Sequence, residues 1–247
     1  MASARIWELR NLLSNITLLS DYELTALLLS LKVAGYAVLW LLPIGLGIGW
    51  LLARKEFVGK SALDSLVHLP LVLPPVVVGY LLLISMGKQG AIGQWLDAWF
   101  GISFSFSWRG AVLACVVIAL PLMVRSIRLS LESVDPKLEQ AARTLGASPL
   151  KVFATITLPL TLPGIITGVM LSFARSLGEF GATISFVSNI PGETQTIPLA
   201  MYNFLETPGA EMEAARLCII SIVIALLSLF ISEWVSRRMK RKLGVSR

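Results

Sequence analysis

Arg175 and Glu179 are the residues whose type and spacing first suggest chemistry: opposite charges at i and i+4, closing an apolar run from Leu158 to Leu177. On a helix they share a face and can pair, although Arg before Glu is the less favourable order for helix support. Ionisable side chains beside so apolar a stretch read as a gate or pathway element, or else as a structural pair. Ser172, Ser176, Thr183, Ser185 and Ser188 add neutral hydroxyl donors nearby, and serines at such spacings also serve plain helix packing. Catalysis has no comparable candidate. His68, the one histidine, starts an apolar run with no nucleophile set beside it by any motif and reads as an interfacial side chain. Cys115 and Cys218 each lie inside an apolar block and read as small packed hydrophobes rather than a disulfide or metal pair. The chain lacks a Gly-x-x-x-x-Gly-Lys-Ser/Thr phosphate loop. Neither enzyme activity nor a cofactor or metal is expected of it.

The elements that must position these residues follow from hydropathy. Of 247 residues, 55% are hydrophobic and 15% charged, whereas a soluble domain is about a quarter charged. The apolar residues fall in blocks near the length that crosses a bilayer as a helix: Leu31 to Ala53, Leu66 to Met86, Gly110 to Ile127, Leu158 to Leu177 and Leu217 to Val235. The expected architecture is an all-α polytopic membrane protein of five spans, residues 1–247 forming one transmembrane domain. A sixth span requires Ile6 to Leu19, where Glu8, Arg10, Asn11 and Asn15 favour an amphipathic surface helix. No apolar core followed by a small-residue cleavage site marks the N-terminus, so the first span is expected to stay as an anchor.

Orientation follows from Lys and Arg, which collect in cytoplasmic loops. Arg54, Lys55 and Lys60 occupy one connection. Arg125, Arg128, Lys137, Arg143 and Lys151 occupy the longest loop, and Arg237, Arg238, Lys240, Arg241, Lys242 and Arg247 form the tail. Between Gly178 and Ala215 there are five glutamates and no Lys or Arg. The long loop and the C-terminus are therefore expected on the cytoplasmic side. The net charge of +6 is accounted for by this topology signal and by contact with anionic lipid, so nucleic acid is not an expected partner.

Pro70, Pro74 and Pro75 remove backbone donors and are expected to bend the second span. Gly45, Gly47 and Gly49 allow close helix approach. Ala182 to Val187 and Ile197 to Leu205, separated by Ser188, Asn189, Pro191 and Gly192, are each too short to cross. They form either a re-entrant gate enclosed by protein or a loop at the outer interface.

The long loop has its own punctuation. Asp135 before Pro136 is a helix N-cap with proline at the first position, Gly146 supplies the stop, and Ser148 before Pro149 starts a second short helix toward Phe153. Two short helices joined at a glycine and tipped with Leu150 and Phe153 make either a knob for a groove on another protein or an amphipathic loop on the membrane.

Glu139, Gln140, Ala141, Ala142, Gly146 and Ala147, followed by Ile156-x-Leu158-Pro159, resemble the EAA loop of the ATP-binding-cassette importer permeases. The resemblance implies a type I importer permease fold and makes loop 131–157 the coupling element seated in an ATP-hydrolysing subunit. Gln140 stands where that family usually has Glu, with Glu139 adjacent. The segments Leu69 to Tyr80, Ala174 to Thr183 and Phe186 to Thr194 are similar to those of the molybdate permeases, and Leu177 to Ala182 also to sulfate permeases. By resemblance, the chain pairs with a second permease copy in the inner membrane. It sits on two ATPases that hold ATP and Mg, and receives molybdate or tungstate from a periplasmic binding protein. A tetrahedral dianion in a low-dielectric path needs hydrogen-bond donors or positive charge. That places Arg175, Ser176, Thr183 and Ser185 in the pathway, with Glu179, the partner of Arg175, in its gate.

Overall fold

A computed structural model describes residues 19–242, with side chains to residue 239; the segment Ile6 to Leu19, apart from Leu19 itself, and the last five residues lie outside the described part. Among the described residues the secondary structure is helical throughout. Helix α1 (Asp21–Arg54) starts at a complete capping box, in which Ser20 Oγ accepts from Glu23 N–H and the Glu23 carboxylate accepts from Ser20 N–H at 2.8 Å. It therefore begins ten residues before the apolar block that announces it.

The second apolar block is not one straight span. The chain bends by 115° between helix α2 (Lys60–Val72) and helix α3 (Pro75–Met86). Pro74 forces the preceding Leu73 into extended backbone (φ −73°, ψ 141°), and Pro75 then opens α3. The expected bend is thus a break. Helix α4 (Ala91–Phe100) exposes Trp95, Trp99 and Phe100 and leads to α5 (Trp108–Glu132).

Helix α5 is the axis of the fold. It is the most enclosed of the membrane-length helices, 61% of its apolar window being buried against 17% for α11 (Glu211–Lys242). Around it pack α1, α8 (Leu158–Leu177), α2 and α9 (Gly181–Val187). Gly45 and Gly49 let α1 close onto α5: an added Cβ would lie 2.4 Å from Met123 Cγ and 2.9 Å from Ile127 Cγ2 respectively. Gly47 faces open space instead, so only the i, i+4 pair does the packing. Toward the end of the bundle that holds the start of α1, Val33, Ala37, Val78, Cys115, Ala182 and Phe186 form one apolar core. Toward the end that holds Arg54, Leu41, Met123, Ile127, Leu131 and Ile165 form a second. The exposed Ile222, Val223, Leu226, Phe230 and Ile231 of α11 give it the all-round apolar surface of a lipid-facing helix.

Four helices are long and apolar enough to cross a membrane, and five when the bent α2–α3 pair counts as one. That agrees with the five-span expectation. The real helices outrun their apolar blocks because hydropathy reads only the part in hydrocarbon, while caps set the ends.

Candidate functional site: the polar loop and the broken segment

The loop between α5 and α8 folds as its caps dictate. Asp135 Oδ1 accepts from Lys137 N–H at 2.9 Å, Pro136 opens α6 (Pro136–Thr144), and Gly146 takes a left-handed turn at φ +84°. Ser148 Oγ accepts from Lys151 N–H to start α7 (Pro149–Val152). The expected second short helix is present, but it does not end at Phe153. Helix α7 passes through a π-helical turn, Phe153–Thr157, directly into α8. Leu158 precedes a proline that lacks a donor, and a wider turn accommodates that missing bond. The loop is thus one free helix, α6, and the N-terminal extension of a membrane helix.

This changes the tip. Leu138, Leu145 and Leu150 are exposed, Leu145 at 88% and Leu150 at 77%, whereas Phe153 is half-buried. Gln140, Ala141 and Gly146 are exposed; Ala142 and Ala147 are half-buried. Glu139 is fixed. Its carboxylate accepts from Arg54 Nη2 at 2.8 Å and from Thr157 Oγ1 at 2.8 Å, tying α6 to the end of α1 and to the π turn. Sequence reasoning named Glu139 but missed both partners, because Arg54 lies 85 positions away and no spacing rule links them.

At the opposite end, Arg175 Nη1 lies 2.7 Å from Glu179 Oε2, so the two residues do meet. They do not share a helix face. Helix α8 ends at Leu177, Gly178 caps it, and Glu179 turns back from the break between α8 and α9. Its second oxygen accepts from Ala182 N–H at 2.7 Å, so one buried carboxylate satisfies an end donor of α9 and an arginine together.

The neighbouring hydroxyls are mostly committed. Thr183 donates to Phe180 O at 2.8 Å, Ser185 to Gly181 O at 2.9 Å and Ser172 to Ala119 O at 3.5 Å. The Ser176 hydroxyl is buried without a partner beside this pair. The two short apolar pieces fold as α9 and α10 (Ile197–Glu206), with Ala182, Thr183, Phe186, Val187, Leu199 and Ala200 fully buried. Helix α9 is enclosed by α3 and α5, which is the condition under which non-spanning backbone survives at membrane depth. Asn189 Nδ2 pins the connecting turn by donating to Leu199 O and Asn203 Oδ1. His68 bonds Asp64 of its own helix, and both cysteines are free thiols.

A further polar tie closes the end near α9. Arg216 on α11 donates to both oxygens of fully buried Glu23, joining the first turn of α1 to the last helix. No spacing rule links this pair, 193 positions apart.

The profile of the family described as "Binding-protein-dependent transport system inner membrane component" matches residues 45–241. The chain is 67% identical to the molybdenum transport system permease protein ModB of Escherichia coli, over 92% of this chain and 99% of that one. It is 64% identical to ModB of Haemophilus influenzae, over 90% and 97%. Identity to the sulfate transport system permease protein CysT of Escherichia coli is 34%, over 99% and 85%. Among solved structures, a bacterial transporter importing the acidic polysaccharide alginate superposes with a TM-score of 0.70 at 20% identity, covering 89% of this chain and 80% of that one. The methionine transporter MetNI in an inward-facing conformation gives 0.66 at 16%, covering 90% and 99%. The fold, the profile and the full-length identity agree: this chain belongs to the family of binding-protein-dependent transport system inner membrane components.

Proposed function

We propose that this chain is the permease subunit of an ATP-driven importer that moves molybdate, and its close analogue tungstate, from a binding protein outside the membrane to the cytoplasm. The observation that carries this reading is 67% identity to the Escherichia coli molybdenum permease over 99% of its length. The sulfate permease is half as similar, at 34%.

In this reading two copies of the chain face each other, and each α6–α7 loop seats in one ATPase subunit. The exposed Leu138, Leu145 and Leu150 supply apolar anchors for that contact. Glu139 makes the loop a lever. Being tied to Arg54 and Thr157, it passes a displacement of the loop to α1 and, through the π turn, to α8. ATP-driven closure of the ATPases then rocks the helices between inward-open and outward-open arrangements. At the far end of α8, the same rotation acts on Arg175 and Glu179. Opening there separates Arg175 from the carboxylate and leaves its guanidinium and the Ser176 hydroxyl for a tetrahedral dianion, which needs donors rather than acceptors.

The test is ATP hydrolysis by the chain reconstituted with its candidate ATPase and binding protein. Stimulation by molybdate-loaded binding protein is expected; absence of stimulation by any oxyanion overturns the assignment.

A further inference from the structure

Between the inner end of α1 and the α6–α7 loop lies a cleft of about 770 Å³; the transport reading uses Arg54, Glu139, Leu150 and Thr157 on its loop side and leaves the α1 wall and the cations at its mouth without a role. Its wall is the α1 surface formed by Pro43, Leu46, Gly47 and Trp50, and its mouth carries Arg54, Lys55 and Arg143. Arg54 is neutralised by Glu139. Lys55 and Arg143 are exposed and have no carboxylate partner among the described residues.

We infer that this cleft holds one anionic phospholipid of the surrounding bilayer, its phosphodiester between Lys55 and Arg143 and an acyl chain along the α1 wall. Two observations select this occupant. From Arg54 to Pro43 the wall rises about 16 Å at 1.5 Å per residue, close to one leaflet of a hydrocarbon core about 30 Å thick. A cytoplasmic protein segment entering that far would leave its backbone unsatisfied in lipid, whereas a hydrocarbon tail has no such need. The mouth also offers a phosphate two cations that have no carboxylate partner among the described residues, Lys55 resting 5.6 Å from the Trp50 ring centroid, as basic pockets at the cytoplasmic ends of membrane helices do for acidic headgroups. A second copy of this chain fits less well, because its own segments at this level are rich in Lys and Arg. Gly47 enlarges the wall: nothing lies within 4 Å of where its Cβ would be. Because Glu139 and Thr157 line the same cleft, the lipid abuts the tie that positions the loop.

The inference rests on the cytoplasmic placement of the loop, but its lipid count needs neither substrate nor ATP hydrolysis, so its failure is separate from failure of the transport reading. The full-length chain is placed in nanodiscs of phosphatidylcholine mixed with phosphatidylglycerol, and retained lipid is counted by native mass spectrometry. Wild type should retain phosphatidylglycerol preferentially. Lys55→Gln with Arg143→Gln should lower that preference about thirtyfold, corresponding to about 2 kcal/mol for two basic residues. Arg237→Gln with Arg238→Gln removes the same charge outside the cleft and should leave it unchanged. Gly47→Leu, which fills the wall with every charge intact and whose Cβ has nothing within 4 Å, should also displace the lipid. Equal retention in wild type, the Lys55/Arg143 pair and Gly47→Leu overturns the inference. So does a Lys55/Arg143 variant that keeps its lipid but loses its ATPase in pull-down, or a Gly47→Leu variant that keeps its lipid but no longer dimerises.

Discussion

The Glu139 carboxylate lies 2.8 Å from the Arg54 guanidinium, both groups being more than four-fifths buried, and the same carboxylate oxygen takes the Thr157 hydroxyl. One anionic group thereby holds a loop helix against two membrane helices. Breaking the pair by Glu139→Gln or Arg54→Gln leaves a largely buried charge without its partner, a change worth about 1.5–3 kcal/mol for a charged hydrogen bond. Each should lower transport per ATP hydrolysed at least about tenfold while assembly persists, and the double variant should be milder than the sum. Gln140→Glu, at an exposed position one residue away, should be mild; severe loss there would put the contact on the wrong residue.

Gly146 needs its left-handed backbone but has open space around it. Gly146→Val meets only the backbone penalty of about 1–2 kcal/mol, and should uncouple ATP hydrolysis from uptake without impairing insertion. Gly146→Asn, which tolerates this conformation, should keep most of the coupling. The ratio of uptake to hydrolysis in proteoliposomes distinguishes them.

Gly79 on α3 is where the buried short helix comes closest: a Cβ there would sit 2.5 Å from Ala182 O and 2.8 Å from Ser185 Cβ. Because the first obstacle is backbone, Gly79→Ala should destabilise by about 1–3 kcal/mol, read as a lower thermal midpoint in detergent. Gly35→Ala, with no neighbour within 4 Å, should raise it slightly through helix propensity.

The Arg175 and Glu179 pair separates a gate from a strut. Glu179→Gln keeps an acceptor for Ala182 N–H but removes the charge, and Arg175→Gln removes the cation offered to substrate. If the pair is a gate, Arg175→Gln abolishes uptake while binding-protein docking survives, and Glu179→Gln leaks or stalls. Wild-type uptake in both single variants and in the double variant would rule the gate out.

Much of this fold could be read in the chain because lipid is a simple solvent. Apolar length located the four membrane-length helices among the described residues, and Asp135-Pro136, Gly146 and Ser148-Pro149 announced the loop turns correctly. What escaped were features set by tertiary contact. Pro74 and Pro75 promised a bend, but how far α3 swings depends on α9 filling the space beside Gly79. The i, i+4 spacing of Arg175 and Glu179 suggested a helical pair, yet Gly178 ends the helix between them and the contact survives by a turn. Arg54 with Glu139, and Glu23 with Arg216, join residues distant in sequence, and polar pairing across such distances leaves no periodic trace. Ser172, Thr183 and Ser185 looked available as donors, but carbonyls one turn back hold Thr183 and Ser185, and Ala119 O on α5 holds Ser172.

The central claim is tested most directly by competition in uptake. Proteoliposomes containing the chain with its ATPase, supplied with the cognate binding protein, should accumulate labelled molybdate in an ATP-dependent manner. Unlabelled tungstate should compete and sulfate should not. ATP-dependent uptake of sulfate that molybdate fails to inhibit would contradict the assignment.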